Sequence, residues 1–355
     1  MQATVVIPSL NPDEKLERVV EGLIEAGFSR IVLVNDGSDS THTAPFERLA
    51  ERPEVTVLQH AENKGKGRAL KTAFAHVLAG QPDCSGVVTV DGDGQHTVED
   101  VCCLVRKMEQ SRDVVWLGAR DFSNPQVPFR SRFGNVASCL TMRYLCGMRL
   151  QDTQTGLRAI PTCYLPQFLS VTGERFEYET NMLLEIQRQG IPYAEQIINT
   201  IYIEDNKTSH FRPLWDSLRV YSLLLRHFVR FGCCGLLCFL VDILLFTGLL
   251  HVAFTALSDN QAIWWATVVA RVLSSLLNFA LNRRVVFASH RSLGGTLWRY
   301  YALCVVQMSL SAGLVMLLNG CLLLPESLAK CLVDGLLFFV SFQIQQSWVF
   351  GKKKQ

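Results

Sequence analysis

A chain of 355 residues can hold two domains, and this one is divided. Residues 1 to about 210 carry most of the acids and bases, while about 231 to 350 hold the apolar runs behind its positive mean hydropathy. A formal net charge of +2 argues against nucleic acid as the main partner, and twelve cysteines without a single C-x-x-C, half of them in apolar runs (Cys233, Cys234, Cys238, Cys304, Cys321 and Cys331), exclude a disulfide framework and a cysteine zinc site.

In chain order, Thr4 to Ile7 is a β-branched strand that Pro8-Ser-Leu-Asn-Pro12 breaks into a turn ahead of a helix over roughly Asp13 to Ala26. The stretch Met-Gln-Ala-Thr-Val-Val-Ile-Pro has neither a basic n-region nor a long apolar core. No signal peptide is expected, so the first domain is expected to stay on the side where it is made. A second strand, Ile31 to Val34, runs into Asn35-Asp-Gly-Ser-Asp39, and a third covers Val55 to Leu58. Asn63-Lys-Gly-Lys-Gly-Arg-Ala69 then leads into a helix through about Leu78. Neither a dinucleotide G-x-G-x-x-G nor a phosphate-binding G-x-x-x-x-G-K-[ST] is present. The Gly65-Lys66-Gly67-Arg68 turn can offer two cations and backbone amides to a phosphate at a helix start; by itself it reads equally well as a solvated basic loop.

The fourth strand carries Gly86-Val-Val-Thr-Val-Asp-Gly-Asp-Gly-Gln-His96. Its valines read as a short buried strand, and the glycines after it let the backbone bend so that Asp91, Asp93 and Gln95, alternate residues, face one site. Two anions held close repel unless a cation sits between them. Hard oxygen ligands at this spacing suit Mg2+ or Mn2+, and such an ion also grips a diphosphate. An isolated Asp-x-Asp is more often an acidic surface turn; position favours the site here, because this one caps the fourth strand of an alternating strand and helix pattern. That alternation predicts a mostly parallel α/β sheet wound on both faces, with ligands collected outside the carboxyl ends of the strands, where Asp36 and the Asp91 cluster fall.

Val114 to Leu117 is a further strand, followed by Gly118-Ala-Arg120. Val127-Pro-Phe-Arg-Ser-Arg132 opens a segment in which Phe133, Val136, Ala137, Leu140, Tyr144 and Met148 share one helical face, with Arg143 and Arg149 elsewhere. Such a helix either lies on a membrane surface with its bases toward lipid phosphates or packs on the sheet. A second amphipathic helix runs from Arg212 to Arg230, with Arg212, Arg219 and Arg226 on one face; directly before a lipid-spanning segment, that stripe is expected to meet anionic head groups.

Four apolar segments follow, at about 231–254, 262–281, 301–324 and 328–350, each of the length a bilayer needs. The expected division is thus a first domain over 1–211, a juxtamembrane helix over 212–230 and an all-α membrane domain over 231–350. The connection near Asp259 lacks Lys and Arg, and the one near Pro325 has only Lys330 at its edge. Arg283, Arg284, Arg291 and Arg299 mark the intervening loop, and Lys352-Lys-Lys354 marks the tail. The positive-inside rule therefore places both termini in the cytoplasm. Asp242, Arg271 and Asp334 lie within the spans, where an isolated charge costs ~3 kcal/mol or more, so they are expected to pair or face a wet cavity unless a helix end carries them to the interface; Asp242 and Arg271 are the expected partners.

Taken together, Val5-Val-Ile-Pro-Ser-Leu-Asn, Val34-Asn-Asp-Gly-Ser, Asn63-Lys-Gly-Lys-Gly-Arg-Ala, Asp91-Gly-Asp-Gly-Gln-His, Gly118-Ala-Arg and the arginines after Pro128 resemble glycosyltransferase family 2, and within it the polyprenyl-phosphate (dolichyl-phosphate type) sugar transferases. The four-helix tail resembles the GtrA family. The resemblance implies a GT-A fold, a Rossmann-like, mostly parallel sheet. It also implies inverting transfer of a sugar from a UDP- or GDP-linked nucleotide sugar to an undecaprenyl or dolichyl phosphate at the cytoplasmic face of a membrane, most simply a bacterial inner membrane. Pro8, Leu10, Asp36, Lys66, Asp91 and His210 would bind the nucleotide, and Asp91, Asp93 and Gln95 the Mg2+ or Mn2+ ion. Arg120, Arg130 and Arg132 would take the acceptor phosphate, with Asp93, Arg120 and Arg130 catalytic. A homo-oligomer is compatible with this reading. The chain departs from the family pattern at Leu10, Pro12 and His210, where an aromatic residue, a Glu and a Lys are common.

Two other readings share parts of this inventory. A processive polysaccharide synthase has the same nucleotide-sugar core but usually carries Q-x-x-R-W, which does not occur here. A membrane carrier with a regulatory nucleotide-sugar-binding domain would not need an arginine cluster for a second phosphate.

Overall fold

The β-branched runs of the first half pair into one sheet. The computed structural model describes residues 1–122, 129–199, 213–253, 259–287, 289, 291–322 and 325–351, which fall into two units, Met1–Ser222 and Leu223–Gln355. In chain order the first unit holds β1 (Thr4–Ser9), α1 (Lys15–Glu25), β2 (Ile31–Asn35), α2 (Ala44–Ala50), β3 (Val55–Gln59), α3 (Lys66–Gly80), β4 (Gly86–Thr89), α4 (Val98–Gln110), β5 (Val115–Arg120), α5 (Phe129–Thr141), β6 (Arg158–Pro161), α6 (Leu165–Leu169), α7 (Glu177–Gln189) and β7 (Tyr193–Ile198).

The seven strands are ordered β3-β2-β1-β4-β6-β5-β7, and β6 alone runs antiparallel to its neighbours. This is the mostly parallel α/β sheet that a GT-A fold requires. Alternation along the strands divides the core. Val5, Ile7, Leu33, Val88 and Val90 pack with Leu16, Val20, Leu104 and Val105 of α1 and α4, while α3 packs against β1 and β2 through its own buried side chains, among them Leu70 and Phe74. Each such large apolar side chain contributes roughly 1.5–3 kcal/mol on burial.

Register explains where the site lies. Thr89 at the end of β4 pairs with Arg158 at the start of β6, and Ser9 at the end of β1 pairs with Asn35 at the end of β2. An antiparallel β6 therefore brings the loop before it, 152–157, to the same sheet edge as the carboxyl ends of β1, β2, β4 and β5. That loop was not singled out in the sequence, because its importance arises only from β6 entering the sheet reversed.

The helix expected after Pro128 forms, and its apolar face is open: Phe133, Val136, Leu140 and Tyr144 are 66%, 49%, 47% and 42% exposed. Packing on the sheet is thereby ruled out for these four side chains. Met148 does not share their face. After a π-helical turn over Met142–Cys146, Gly147 takes φ 74° and ends the helix, which turns Met148 fully inward.

The second unit is built of long apolar helices, α8 (Pro213–Gly248) from Leu223 on, α9 (Asp259–Leu281), α10 (Leu293–Leu322) and α11 (Glu326–Ile344). Among the described residues four segments are long and apolar enough to cross a membrane: Phe228–Val252, Asn260–Val286, Leu293–Leu318 and Leu328–Val349. Where the sequence suggests a juxtamembrane helix followed by a span, α8 is one continuous helix of 36 residues. Phe228 of α8 meets Phe338 and Phe342 of α11 edge-on, and Phe231 meets Phe342 edge-on and Phe338 at a tilt of 39°. At one end of the unit Arg291 and Arg299 both donate to the Trp348 carbonyl at 3.1 Å, and Arg283 donates to the Arg291 carbonyl.

The intramembrane charges pair. Arg271 Nη2 lies 3.4 Å from Asp242 Oδ2, and the Ser274 hydroxyl donates to Asp242 Oδ1 at 2.7 Å. Asp334 is matched by Lys330 at 3.1 Å and accepts from Ser311 at 2.7 Å. Polar contacts of this kind between membrane helices contribute about 1 kcal/mol each. Asp242→Ala should therefore lower the free energy of unfolding in mixed micelles by about 1–2 kcal/mol, and the exchange Asp242→Arg with Arg271→Asp should recover most of that loss. A double variant no better than Asp242→Ala would show that the pair does not hold α8 to α9.

Candidate active site

Three loops at the carboxyl edge of the sheet are tied to one another by short-range hydrogen bonds. Asn11, in the left-handed region at φ 48°, donates through its amide to Ser38 Oγ and accepts from the Asp39 amide, which fastens the loop after β1 to the loop after β2. Asp36 is buried, and its carboxylate is fully engaged. Oδ1 accepts from the Lys64 amide at 3.0 Å and lies 2.7 Å from His60 Nδ1, while Oδ2 accepts from the Gly65 amide at 2.7 Å. The structure thus places Asp36 as the clamp of the 64–65 turn, with Pro8 half-buried near the end of β1 and Leu10 half-buried on the loop after it. Gly65 is required there: at φ 101° a Cβ would strike the Glu174 carbonyl and Arg175.

That clamp aims Lys66, the first residue of α3. Its Nζ lies 2.7 Å from Asp91 Oδ1 and 3.1 Å from Glu179 Oε2. Burial alone would raise the Asp91 carboxyl and lower the Lys66 ammonium. The Lys66 charge and the His96 contact overcome this at Asp91, as the Asp91 and Glu179 charges do at Lys66; Asp91 is held far below the usual carboxylate range and Lys66 above the usual lysine range. The other Asp91 oxygen, Oδ2, faces His96 Nε2 at 3.7 Å, and the carboxylate packs against Gly156, where any Cβ would collide with it.

Asp93 accepts from the Gln95 amide at 3.0 Å, closing the turn that carries both acids. Burial, with the neighbouring Asp91 charge added, raises the Asp93 carboxyl. Gln95 is half-buried beside it. Two crowded carboxylates, one of them pushed toward protonation, form an environment that a divalent cation relieves, and their oxygens are the hard donors that Mg2+ and Mn2+ favour. Among the described residues no three or more His, Cys, Asp and Glu side chains converge to hold a metal. An ion would therefore complete its shell with water and the donor's phosphates, as Mg2+ commonly does.

Arg120, at the end of β5, makes a two-pronged pair with Asp152: Nε lies 2.6 Å from Oδ2 and Nη2 3.1 Å from Oδ1, with Asp152 fully buried. The Arg120 backbone amide also donates to Oδ2, so the guanidinium plane is fixed. Arg132 is half-buried on α5. Arg130 begins the same helix, but its side chain lies outside the described residues, as does all of His210.

Several residues of the site escape the sequence reading. Arg158 is buried, donates to the carbonyls of Thr155 and Glu179, and is lowered by burial against the opposing Glu179 charge. It holds the 152–157 loop to α7. Lys71 donates to the Gly173 carbonyl and Glu174, and Arg68 pairs with Glu174, so α3 is bound along its first turns to the segment before α7. Asp152-Thr-Gln-Thr-Gly-Leu-Arg158 was the signal available for the loop; Glu179 had none, because its meaning comes from Lys66 across the fold. A cavity of about 370 Å3 between α1 and α4 borders the turn at Gly94 and His96, but Asp91, Asp93 and Lys66 do not line it.

Residues 4–179 match the profile of Glycosyl transferase family 2, and residues 230–350 match that of the GtrA/DPMS transmembrane domain. The UDP-N-acetylglucosamine–dolichyl-phosphate N-acetylglucosaminyltransferase of Methanococcus voltae is 26% identical over 218 residues, covering 56% of this chain and 86% of that protein. The dolichyl-phosphate beta-glucosyltransferase of Dictyostelium discoideum is 24% identical over 239 residues, covering 59% and 69%. The crystal structure of glucosyl-3-phosphoglycerate synthase from Mycobacterium tuberculosis with Mn2+, uridine diphosphate and phosphoglyceric acid aligns at a TM-score of 0.47 and 16% identity, over 63% of this chain and 77% of that one.

The contact between Gly156 and Asp91 is open to direct test. Gly156→Ala should destabilise the first unit by about 1–3 kcal/mol, the range for overpacking a closed site, and Asp91→Ala should relieve most of that loss in the double variant. Additive losses would mean that the loop does not rest on the carboxylate.

Proposed function

Because the chain belongs to glycosyl transferase family 2 through residues 4–179 and carries a GtrA/DPMS transmembrane domain over residues 230–350, we propose that it transfers a sugar from a UDP- or GDP-linked donor to a polyprenyl phosphate at the cytoplasmic face of a membrane. The observation that carries this reading is the Asp91–Asp93 turn at the tip of β4, met by Lys66 on one side and by the Asp152-held Arg120 at the same sheet edge. A site of this kind brings two phosphorylated, mutually repelling molecules together.

A polyprenyl phosphate is anionic near neutral pH, and its oxygen attacks the anomeric carbon without a general base. The residues need only align the two substrates and neutralise charge. Asp91 and Asp93, with Gln95 beside them, would hold a Mg2+ or Mn2+ ion, which supplies charge neutralisation at the leaving diphosphate. Lys66 adds a cation at the same place, and Asp36, through the Lys64 and Gly65 amides, keeps the Lys66 turn in position. Pro8 and Leu10 would border the base, with His210 near the diphosphate. Arg120, Arg130 and Arg132 would take the acceptor phosphate, Arg120 from a plane already set by Asp152. A single displacement inverts the anomeric centre. The exposed apolar stripe of α5 and the turn after it, from Phe133 to Tyr144, supports contact between the catalytic domain and a lipid surface.

Incubating membranes that contain the chain with a panel of labelled nucleotide sugars and then extracting lipid tests the reaction. Label should appear in an acid-labile lipid, and Asp93→Asn should reduce it by roughly 100-fold or more while the protein remains folded. Insoluble polymer would instead identify a synthase, absence of covalent transfer a carrier, and near-normal activity of Asp93→Asn would remove the metal from the reading.

A further inference from the structure

The Asp91 carboxylate is hemmed in on several sides, and a side chain of this chain already sits on its Oδ1. One face of the carboxylate lies against Gly156, with no room for even a methyl group between them. Oδ2 is turned toward the buried His96 ring. Oδ1 remains, and Lys66 Nζ sits 2.7 Å from it, at hydrogen-bonding distance and in direct contact. A divalent ion that coordinates Asp91 through Oδ1 would compete with the Lys66 ammonium already there, since two cations on one oxygen repel strongly in a largely enclosed site.

Glu179 gives that ammonium somewhere to go. Its Oε2 is already 3.1 Å from Lys66 Nζ, its side chain is largely buried, and its backbone carbonyl is fixed by Arg158 Nη1 at 2.8 Å. The backbone around the base of Lys66 is equally constrained: Gly65 is clamped by Asp36, and the Arg68 amide donates to the Glu174 carbonyl at 3.0 Å. Lys66 can thus change partner by side-chain rotation alone. No loop has to move.

We propose that Glu179 is a positioning residue for metal entry: it receives the Lys66 ammonium as a divalent cation takes Oδ1 of Asp91, so that Lys66 and the cation occupy one carboxylate in turn. Before loading, Lys66 keeps Asp91 and Asp93 from standing as a bare pair of anions. After loading it rests on Glu179, still beside the diphosphate position. This inference rests on the metal assignment made for Asp91 and Asp93, and it adds an exchange that the assignment alone does not require.

The test measures Mn2+ binding to the purified full-length protein in detergent without nucleotide, by the electron paramagnetic resonance signal of free Mn2+. Lys66→Met should bind Mn2+ roughly tenfold more tightly than the parent chain, equivalent to about 1.4 kcal/mol of removed competition. Lys66→Gln, which keeps a neutral hydrogen-bond donor on the side chain should Lys66→Met fail to fold, should shift in the same direction. Glu179→Gln should bind Mn2+ several-fold more weakly, because Lys66 then has Asp91 as its sole carboxylate. The deciding comparison is the double variant: with Lys66 already replaced, Glu179→Gln should have no further effect. Unchanged or weaker Mn2+ binding in both Lys66 variants would overturn the exchange, as would absence of Mn2+ binding in every form. An equal loss from Glu179→Gln with and without Lys66 would overturn it too, since Glu179 would then act through its field. Sugar transfer is read separately. Lost lipid labelling with the expected Mn2+ shifts sinks the proposed reaction and leaves the exchange standing, and the converse result sinks the exchange alone.

Discussion

Like charges held near one another are the constraint around which the first unit is built. Asp91 and Asp93 sit two residues apart on one tight turn, and a carboxylate pair so placed either gives up a charge to protonation or needs cations nearby. The fold supplies them from a distance in sequence: Lys66 from the start of α3, with Glu179 of α7 balancing it. Each partner is then secured by a buried device of its own. Asp36 holds the turn before Lys66, Arg158 holds the backbone of Glu179, and Gly156 lets the 152–157 loop close against Asp91. Loss of any of these moves a charge whose neighbours are already fixed, and errors of about an ångström in such a site are costly.

The same logic applies to the arginine on β5. Arg120 could have been a mobile surface cation, yet Asp152, fully buried, takes its Nε and one terminal nitrogen and sets the plane of the guanidinium. Asp152 and Gly156 belong to one short loop. A single segment therefore orients the cation on β5 and supports the acid on β4, and the register of the antiparallel β6 puts both at the same edge.

Much of this edge was legible in the sequence because its signals are local. β-branched runs ending in Pro-Ser-Leu-Asn, Asn-Asp-Gly-Ser and Asp-Gly-Asp-Gly mark strands whose carboxyl ends carry function, and β1, β2, β3, β4 and β5 form where expected. The four apolar segments are likewise local, and their existence needed only length and composition. Pairing between Asp242 and Arg271 was also foreseeable, since charges in apolar helices have few alternatives. What escaped is whatever depends on tertiary register. β6 and β7, the reversal of β6, and the convergence of Asp152, Gly156, Arg158 and Glu179 leave no periodic trace. Asp36 is instructive in a different way: its position at the end of β2 was evident, but the hydrogen bonds that absorb its carboxylate come from residues 60–65, which only the fold brings to it.

Charge accounting also bears on which chemistry the site favours. A general base must hold a lone pair ready and exchange its proton near neutral pH. At this edge Asp91 is held ionised by its cationic neighbours, Lys66 is held protonated between two carboxylates, and Glu179 is spent on Lys66. Asp93 alone is raised, and the cause beyond burial is the anion beside it, which a bound cation would cancel. These four groups are therefore suited to neutralising phosphates and poorly suited to removing protons. A nucleophile that already carries its negative charge makes the fewest demands on such a site, and a phosphate monoester is one.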